Sequence, residues 1–341
     1  QICWHLLLAR VGVGIGEAGC SPPAYSLISA YFAPHRRATA FSVYSTGIYG
    51  GIFVGYLLGG WIEHVFGWRT AFLVVGLPGV FLALVVRLTL REPPRGFSDA
   101  GVAVADRPPL APTIVRLWKC RTFFHMSIAA ALHAFVGYGA GNFMPAFLIR
   151  SHGMTTQNVG TWMAFIVAGG GFVGVYWGGL LSDRMATRFG DQRYRMWVAA
   201  VSTVIGAPLA LVVHLINLRV SLPMLGDIPI ILLILLPTWV FASMYLGPTF
   251  AMTQALVGIR ERAVAGAVLL FVVNLIGLGL GPWLTGLLSD ELMHVFAERG
   301  YAPPLAEAQG LRYALCVVAA VNLWSAYHYF VAARHLRADL A

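Results

Sequence analysis

Nine stretches of this chain, about residues 5–31, 39–62, 69–90, 123–148, 157–181, 196–216, 228–256, 263–288 and 311–333, are apolar runs of the length a bilayer demands. Crossing a hydrocarbon layer of ~30 Å takes roughly 20 helical residues. In lipid every backbone N–H and C=O must find a partner within the protein, so such runs have one outcome, a bundle of membrane-spanning helices. Composition agrees. Of 341 residues, 58% are hydrophobic and 11% charged, against about 25% charged in a soluble domain. The expected fold class is all-α and polytopic, a multi-pass protein embedded in a lipid bilayer.

Charge orients the bundle. Arg36, Arg37, the basic residues from Arg87 to Arg121, Arg184, Arg188, Arg193, Arg195, Arg260, Arg262, Arg334 and Arg337 fall in alternate loops. The opposite loops carry only Arg69, Arg150, Arg219, Arg299 and Arg312. Excess Lys and Arg marks the cytoplasmic side, which places residues 91–121 and the C-terminus in the cytoplasm of, by expectation, a bacterial inner membrane. The net charge of +9 is thus spread over short loops, which argues against a nucleic-acid partner. Cys3, Cys20, Cys120 and Cys316 show neither metal-ligand nor disulfide spacing, so no metal or cofactor is expected.

An internal repeat divides the chain. At an offset of 225, Pro23-Ala24-Tyr25 meets Pro248-Thr249-Phe250, Arg37-Ala38 meets Arg262-Ala263, and Ala40 meets Ala265. Both copies run in the same direction, a parallel repeat of the kind that relates transporter halves. The expected domains are residues 1–90, the remainder of a first six-helix bundle; 91–121, a Pro- and Arg-rich linker with a short surface helix near 112–120; and 122–341, a second bundle of six. The chain opens on Gln1 in mid-pattern. The repeat therefore predicts roughly 100 further residues and three more helices upstream.

The first apolar run contains Arg10 and Glu17 among Gly12, Gly14, Gly16 and Gly19. Ionisable groups in hydrocarbon are costly and mark ion or proton paths. Seven residues is about two helical turns, so the pair shares a face. Burial and the Arg10 charge act on the Glu17 proton in opposite senses, and a carboxylate balanced between them can load and release a proton. The plainer alternative is a buried ion pair locking two helices. The glycines are expected to allow close helix approach, as is the run from Gly169 to Gly179.

Arg10-Val-Gly-Val-Gly14-Ile-Gly16 resembles the fourth-helix signature of the major facilitator superfamily. Gly179-Leu-Leu-Ser-Asp183-Arg184 resembles its cytoplasmic gate motif, in the second-half copy. Gly51 with Gly55, Gly59 and Gly60, and Gly277 with Gly279, Gly281 and Pro282, resemble its fifth and eleventh helices. Gly14 to Pro22, continued by Phe41-Ser42-Val43-Tyr44, resembles the Spinster family. That family moves lysolipids, sphingosine phosphate and related amphiphiles, with bacterial members linked to protons. The resemblance implies a secondary active transporter of six plus six helices that rocks around a central cavity. It further implies proton coupling at Glu17 with Arg10 as partner, and gating at Gly179, Asp183 and Arg184. One departure stands out. Met185-Ala-Thr-Arg188 follows Asp183-Arg184 without the glycine that sets the usual tight turn.

Other polar groups in apolar runs are candidates for the substrate site: His133, Tyr138, Asn142, Tyr245 and Asn274. Gly137, Gly139 and Gly141 are expected to break their helix near Tyr138 and Asn142, as in unwound transporter helices. Each of these residues also reads as interhelical glue. The partners expected are a small amphiphile or organic anion, protons and lipid, for a monomeric carrier. An integral-membrane lipid-modifying enzyme would need paired carboxylates or a His–Asp pair at an interface, and none recurs here at usable spacing. The protein is therefore read as no enzyme. A channel is the remaining alternative, distinguished by lacking proton-driven accumulation.

Overall fold

The computed structural model describes residues 3–18, 31, 34–90, 110–222, 226–257 and 261–340. The Gly19–Pro23 end of the opening motif and linker residues 91–109 lie outside them. Among the described residues, nine long helical stretches fall within or overlap the nine apolar runs. They are α1 (Cys3–Ala18), α2 (Pro34–Phe66) and α3 (Trp68–Thr89), then α5 (Arg121–His152). Next come α6 (Thr156–Met163) joined through the π-helical turn π1 (Ala164–Gly169) to α7 (Gly170–Phe189), then α8 (Arg193–Leu215). A turn joins α9 (Ile231–Ser243) to α10 (Leu246–Ala255), and α11 (Arg262–Val273), π2 (Asn274–Leu280) and α12 (Gly281–Glu298) form one stretch. The last is α13 (Pro303–Leu340), and α4 (Leu110–Lys119) is the short linker helix. Seven stretches among the described residues are long and apolar enough to cross a membrane.

The chain forms two compact units, residues 1–51 with 73–106 and residues 52–72 with 107–341. The second unit has a dense interior. At the arginine-rich end, Phe123, Met126, Met196, Met252, Tyr329 and Leu336 form one buried cluster. At the arginine-poor end, Phe147, Leu148, Met163, Leu232, Leu311 and Leu315 form a second. A hairpin of β1 (Arg219–Leu222) and β2 (Gly226–Pro229) caps that end, which periodicity did not foretell. Its strands are four residues each, too short to show an alternation.

Two glycine seams hold this unit together. A methyl group added at Gly170 would lie 2.9 Å from Cβ of Trp239, and one at Gly174 or Gly178 would overlap the Val240 or Met244 carbonyl. The α7 and α9 backbones therefore touch directly. On the other side, an added methyl at Gly277 would lie 2.6 Å from Cβ of Ala134, and one at Gly281 would lie 2.7 Å from the Phe135 carbonyl. The expected break at Gly137, Gly139 and Gly141 does not occur, since α5 is helical throughout. The physical reason lies partly at Gly139, where a side chain would strike Thr285 Oγ1 at 2.7 Å. That glycine serves close packing rather than unwinding. The irregular backbone sits instead at π1, which directly precedes the first seam, and at π2, which contains Gly277 of the second. A methyl group added at Gly12, Gly14 or Gly16 of α1 would meet nothing within 4 Å among the described residues, so the expected close approach is not seen there.

Side chains pin the arginine-rich loops. Asp191 Oδ1 accepts from the Arg193 backbone N–H at 3.0 Å, while Oδ2 accepts from Arg193 Nε and Arg337 Nη2, both at 2.8 Å. The loop is thereby tied to the end of α13, beside a cavity of about 290 Å³ lined also by Gly190, Gln192 and Leu336. At the linker, Glu261 accepts from Arg116 and from Thr113 Oγ1 at 3.3 Å, fixing α4 to the start of α11.

Gly178→Val should lower the melting temperature of the purified protein by the equivalent of about 1–3 kcal/mol. Gly179→Ala should be near neutral, because nothing lies within 4 Å of its added methyl. Equal effects of the two would contradict the seam. The Asp191 carboxyl is held below the usual carboxylate range, the hydrogen bonds from Arg193 and Arg337 outweighing its burial. A lowered folded-state pKa means its contribution is present above the ordinary carboxylate pKa and is lost as pH falls through the folded value. The stability gap between the parent and Asp191→Asn should thus be flat from neutral pH to about pH 5 and close in acid. A pH series of thermal melts tests this.

Candidate functional site

The opening charges sit on a regular helix. α1 is helical from Cys3 to Ala18, which puts Arg10 and Glu17 seven residues apart on one face. Their side chains are outside the described ones. Described neighbours on the same helix, among them Leu7, Leu8, Val11 and Val13, are exposed.

The five candidate substrate residues separate into two groups. His133 and Tyr245 come together inside the second unit, 4% and 9% exposed, with ring centroids 4.1 Å apart. His133 Nε2–H donates to the Ala242 carbonyl at 2.8 Å, and Nδ1 lies 3.4 Å from Thr203 Oγ1. That bond fixes the Nε2 proton, since a carbonyl only accepts. Tyr245 stands 6.4 Å from the Tyr329 ring, whose hydroxyl lies 2.9 Å from Thr249 Oγ1. This group bridges α5, the α9–α10 turn, α8 and α13, so its first role is to join helices.

Tyr138, Asn142 and Asn274 are exposed. Tyr138 and Asn142 are four residues apart on α5 and share a face. Asn274 opens π2. Because Gly277 meets Ala134 and Gly281 meets Phe135, α5 and π2 run side by side in the same direction. Asn274 then lies about 10 Å from Tyr138 along the bundle axis. These three residues can present amide and phenol groups to a ligand without disturbing the core.

The gate-motif residues occupy the arginine-rich end of α7. Asp183 Oδ1 pairs with Arg195 Nη2 of α8 at 2.9 Å, with Arg195 23% and Asp183 64% exposed. Arg184 is exposed and makes no ion pair among the described residues. The glycine missing after Asp183-Arg184 is compensated further along. α7 continues to Phe189, and Gly190, at φ 64°, ends it in the left-handed region. A side chain is strained there, and glycine is not.

A second contact was not foreseen from sequence. At the arginine-poor end of α2, a methyl added at Gly60 would lie 2.8 Å from Cα of Gly160 on α6. Beside it Trp61 Nε1–H donates to Thr161 Oγ1 at 3.0 Å, and Phe53 meets Phe165 edge-on at 5.2 Å. The signal available was the Gly59-Gly60-Trp61 run itself, which names no partner.

Comparison with known proteins supports a transporter. The Major Facilitator Superfamily model matches residues 3–282. An MFS-type efflux pump of Mycolicibacterium smegmatis is 31% identical over all of this chain and 73% of its own length. Protein spinster homolog 1 of Homo sapiens is 28% identical over 98% of this chain, which spans 64% of that protein. The crystal structure of a bacterial homolog of the human lysosomal transporter Spinster, inward-facing and unoccupied, superposes with a TM-score of 0.81. It is 32% identical, covering 98% of this chain and 78% of that one. The chain belongs to the major facilitator superfamily of membrane transporters and is homologous to the Spinster proteins.

Proposed function

We propose that this protein carries a small amphiphilic or organic-anion substrate, of lysolipid type, across the bacterial inner membrane by alternating access, driven by protons. The observation that carries the reading is the Arg10–Glu17 pair on one face of a regular apolar helix, within a chain similar to Spinster transporters along nearly its whole length. Glu17 takes and gives the proton, and Arg10 balances its charge. A group that is neutral in one state and charged in the other shifts a two-state equilibrium by its differential interaction with each state.

Tyr138, Asn142 and Asn274 are the substrate contacts on this reading. His133 and Tyr245 hold the helices behind them. An exposed polar set against an apolar background suits a ligand with one polar end and one apolar end. The Asp183–Arg195 pair, with Gly179 and Arg184, belongs to the gate at the arginine-rich, cytoplasmic end. The Gly60–Gly160 contact with the Trp61–Thr161 hydrogen bond closes the opposite end. Residues 1–90 and 122–341 are the two moving bundles, joined by 91–121, and the carrier acts as a monomer.

The test is uptake into vesicles reconstituted with the full-length protein. A fluorescent lysophospholipid should accumulate when an inward-directed proton gradient is imposed, and Glu17→Gln should remove most of the gradient-driven part. Accumulation indifferent to the gradient, with Glu17→Gln transporting normally, would rule out the coupling. Gradient-independent flux too fast for a carrier would favour a channel.

Closure at the arginine-poor end gives a further expectation. Gly60→Leu cannot seat its side chain against the Gly160 backbone, a penalty of about 1–3 kcal/mol. In a Thr161→Cys background, labelling by an impermeant maleimide should therefore rise roughly tenfold or more. Unchanged labelling would show that this contact does not control access.

A further inference from the structure

Where α5 and α13 meet near the arginine-rich end, two imidazoles face each other. His125 Nδ1 lies 2.9 Å from His328 Nδ1, with ring centroids 5.1 Å apart and ring planes 34° from parallel. A neutral imidazole carries one N–H and one lone pair, so a hydrogen bond here takes one ring as donor and the other as acceptor. Both rings are half-buried. Phe124, Trp324 and Tyr327 touch them and are themselves exposed. Tryptophan and tyrosine collect where a bilayer meets water, so the pair stands at a depth that a solute from the aqueous phase reaches. The two histidines are 203 positions apart, and no spacing motif announces them.

Other bonds already hold these helices together. On one side of the pair, the Thr122 backbone N–H donates to Asp339 Oδ2 at 2.7 Å. On the other, Ser325 Oγ donates to the Ala129 carbonyl at 2.7 Å. Fixed above and below, the two imidazoles are positioned by the scaffold rather than by each other, which is how a ligand site is preorganised. No carboxylate bonds to either ring among the described residues. Asp339 is taken by Thr122 and Cys120. His335 stacks nearly parallel to His125, with centroids 6.3 Å apart.

The separation of the two nitrogens carries the chemistry. Ligands 2.0–2.1 Å from a metal stand about 2.9 Å apart at a 90° angle and about 3.3–3.4 Å apart at the tetrahedral angle. We propose that His125 and His328 are two adjacent ligands of a site for one divalent transition-metal ion of octahedral or square-planar habit, the nickel or copper class. Imidazole nitrogen suits these ions, and tetragonal sets of nitrogen and oxygen are their usual surroundings. No group of three His, Cys, Asp or Glu side chains among the described residues could hold a metal, so water fills the remaining positions. Both Nδ1 lone pairs go to the metal. The proton between them moves to the free Nε2 through water when the pair is neutral, or to solvent when the pair carries one positive charge. The ion would clamp α5 to α13. The site is separate from the proton-coupling pair and does not depend on the proposed substrate.

The test uses the full-length protein, untagged and stripped with EDTA, in detergent. Nickel titrated into thermal melts should raise the melting temperature by about 2–4 °C in a saturable manner. His125→Phe and His328→Phe should each weaken the apparent affinity at least tenfold. His294→Ala, at an exposed histidine of α12, should leave it unchanged. The effect should fade as pH falls through the imidazole range, since protons compete for the same lone pairs. Copper bound at one equivalent should show two nitrogen donors by electron paramagnetic resonance, which answers on the unaltered protein should the variants not fold. No saturable effect of nickel, an effect that survives both site variants, or a copper spectrum without two nitrogens would overturn the proposal and leave the pair as a plain hydrogen bond.

Discussion

Backbone touching backbone is the constraint on which the second unit depends. Lipid tails are as apolar as leucine, so hydrophobicity does not sort one helix face from another inside a bilayer. What remains is van der Waals contact, and it is strongest where no side chain intervenes. The seams at Gly170, Gly174 and Gly178 and at Gly277 and Gly281 are such places. Once α7 lies on α9 and α12 on α5, the positions of His133, Tyr245 and Thr249 follow. These polar groups find partners on helices that the glycines have already brought near. The π-helical turns beside the seams fit the same geometry, since a locally widened helix changes which residues face the contact.

Much of this architecture was legible in the sequence because the bilayer imposes a length. Within the described residues each of the nine apolar runs holds a helical stretch, and the run around Gly174 became the close contact expected of it. The ends were less legible. The run read as 311–333 extends over Pro303–Leu340, because polar turns such as Arg334 to Asp339 continue a helix once it has emerged from the apolar layer. The glycines of α5 misled for a reason of chemistry. Gly139 can serve unwinding or close packing, and only the neighbour, Thr285, decides.

The candidate site was legible in part. Residue type alone picked out His133, yet type could not say that its Nε2 proton is taken by a backbone carbonyl across the bundle. Ala242, which provides that carbonyl, is also the residue 225 positions after Glu17 in the internal repeat. One half thus places an acid where the other offers a carbonyl already engaged by an imidazole. Pairings such as Asp191 with Arg337 and Arg116 with Glu261 join residues about 146 positions apart. Nothing in local pattern announces them.

The late turn at Gly190 changes what the end of α7 can sense. Because the helix runs six residues past Asp183, it projects about 9 Å beyond the Asp183–Arg195 pair. Arg184 and Arg188, four residues apart, share one side of that projection. Lipid headgroups on the basic side of a membrane are anionic, and each arginine near them gains about 1 kcal/mol. The projecting end therefore carries its two positive charges beyond the ion pair, where an anionic surface would meet them before it met Asp183.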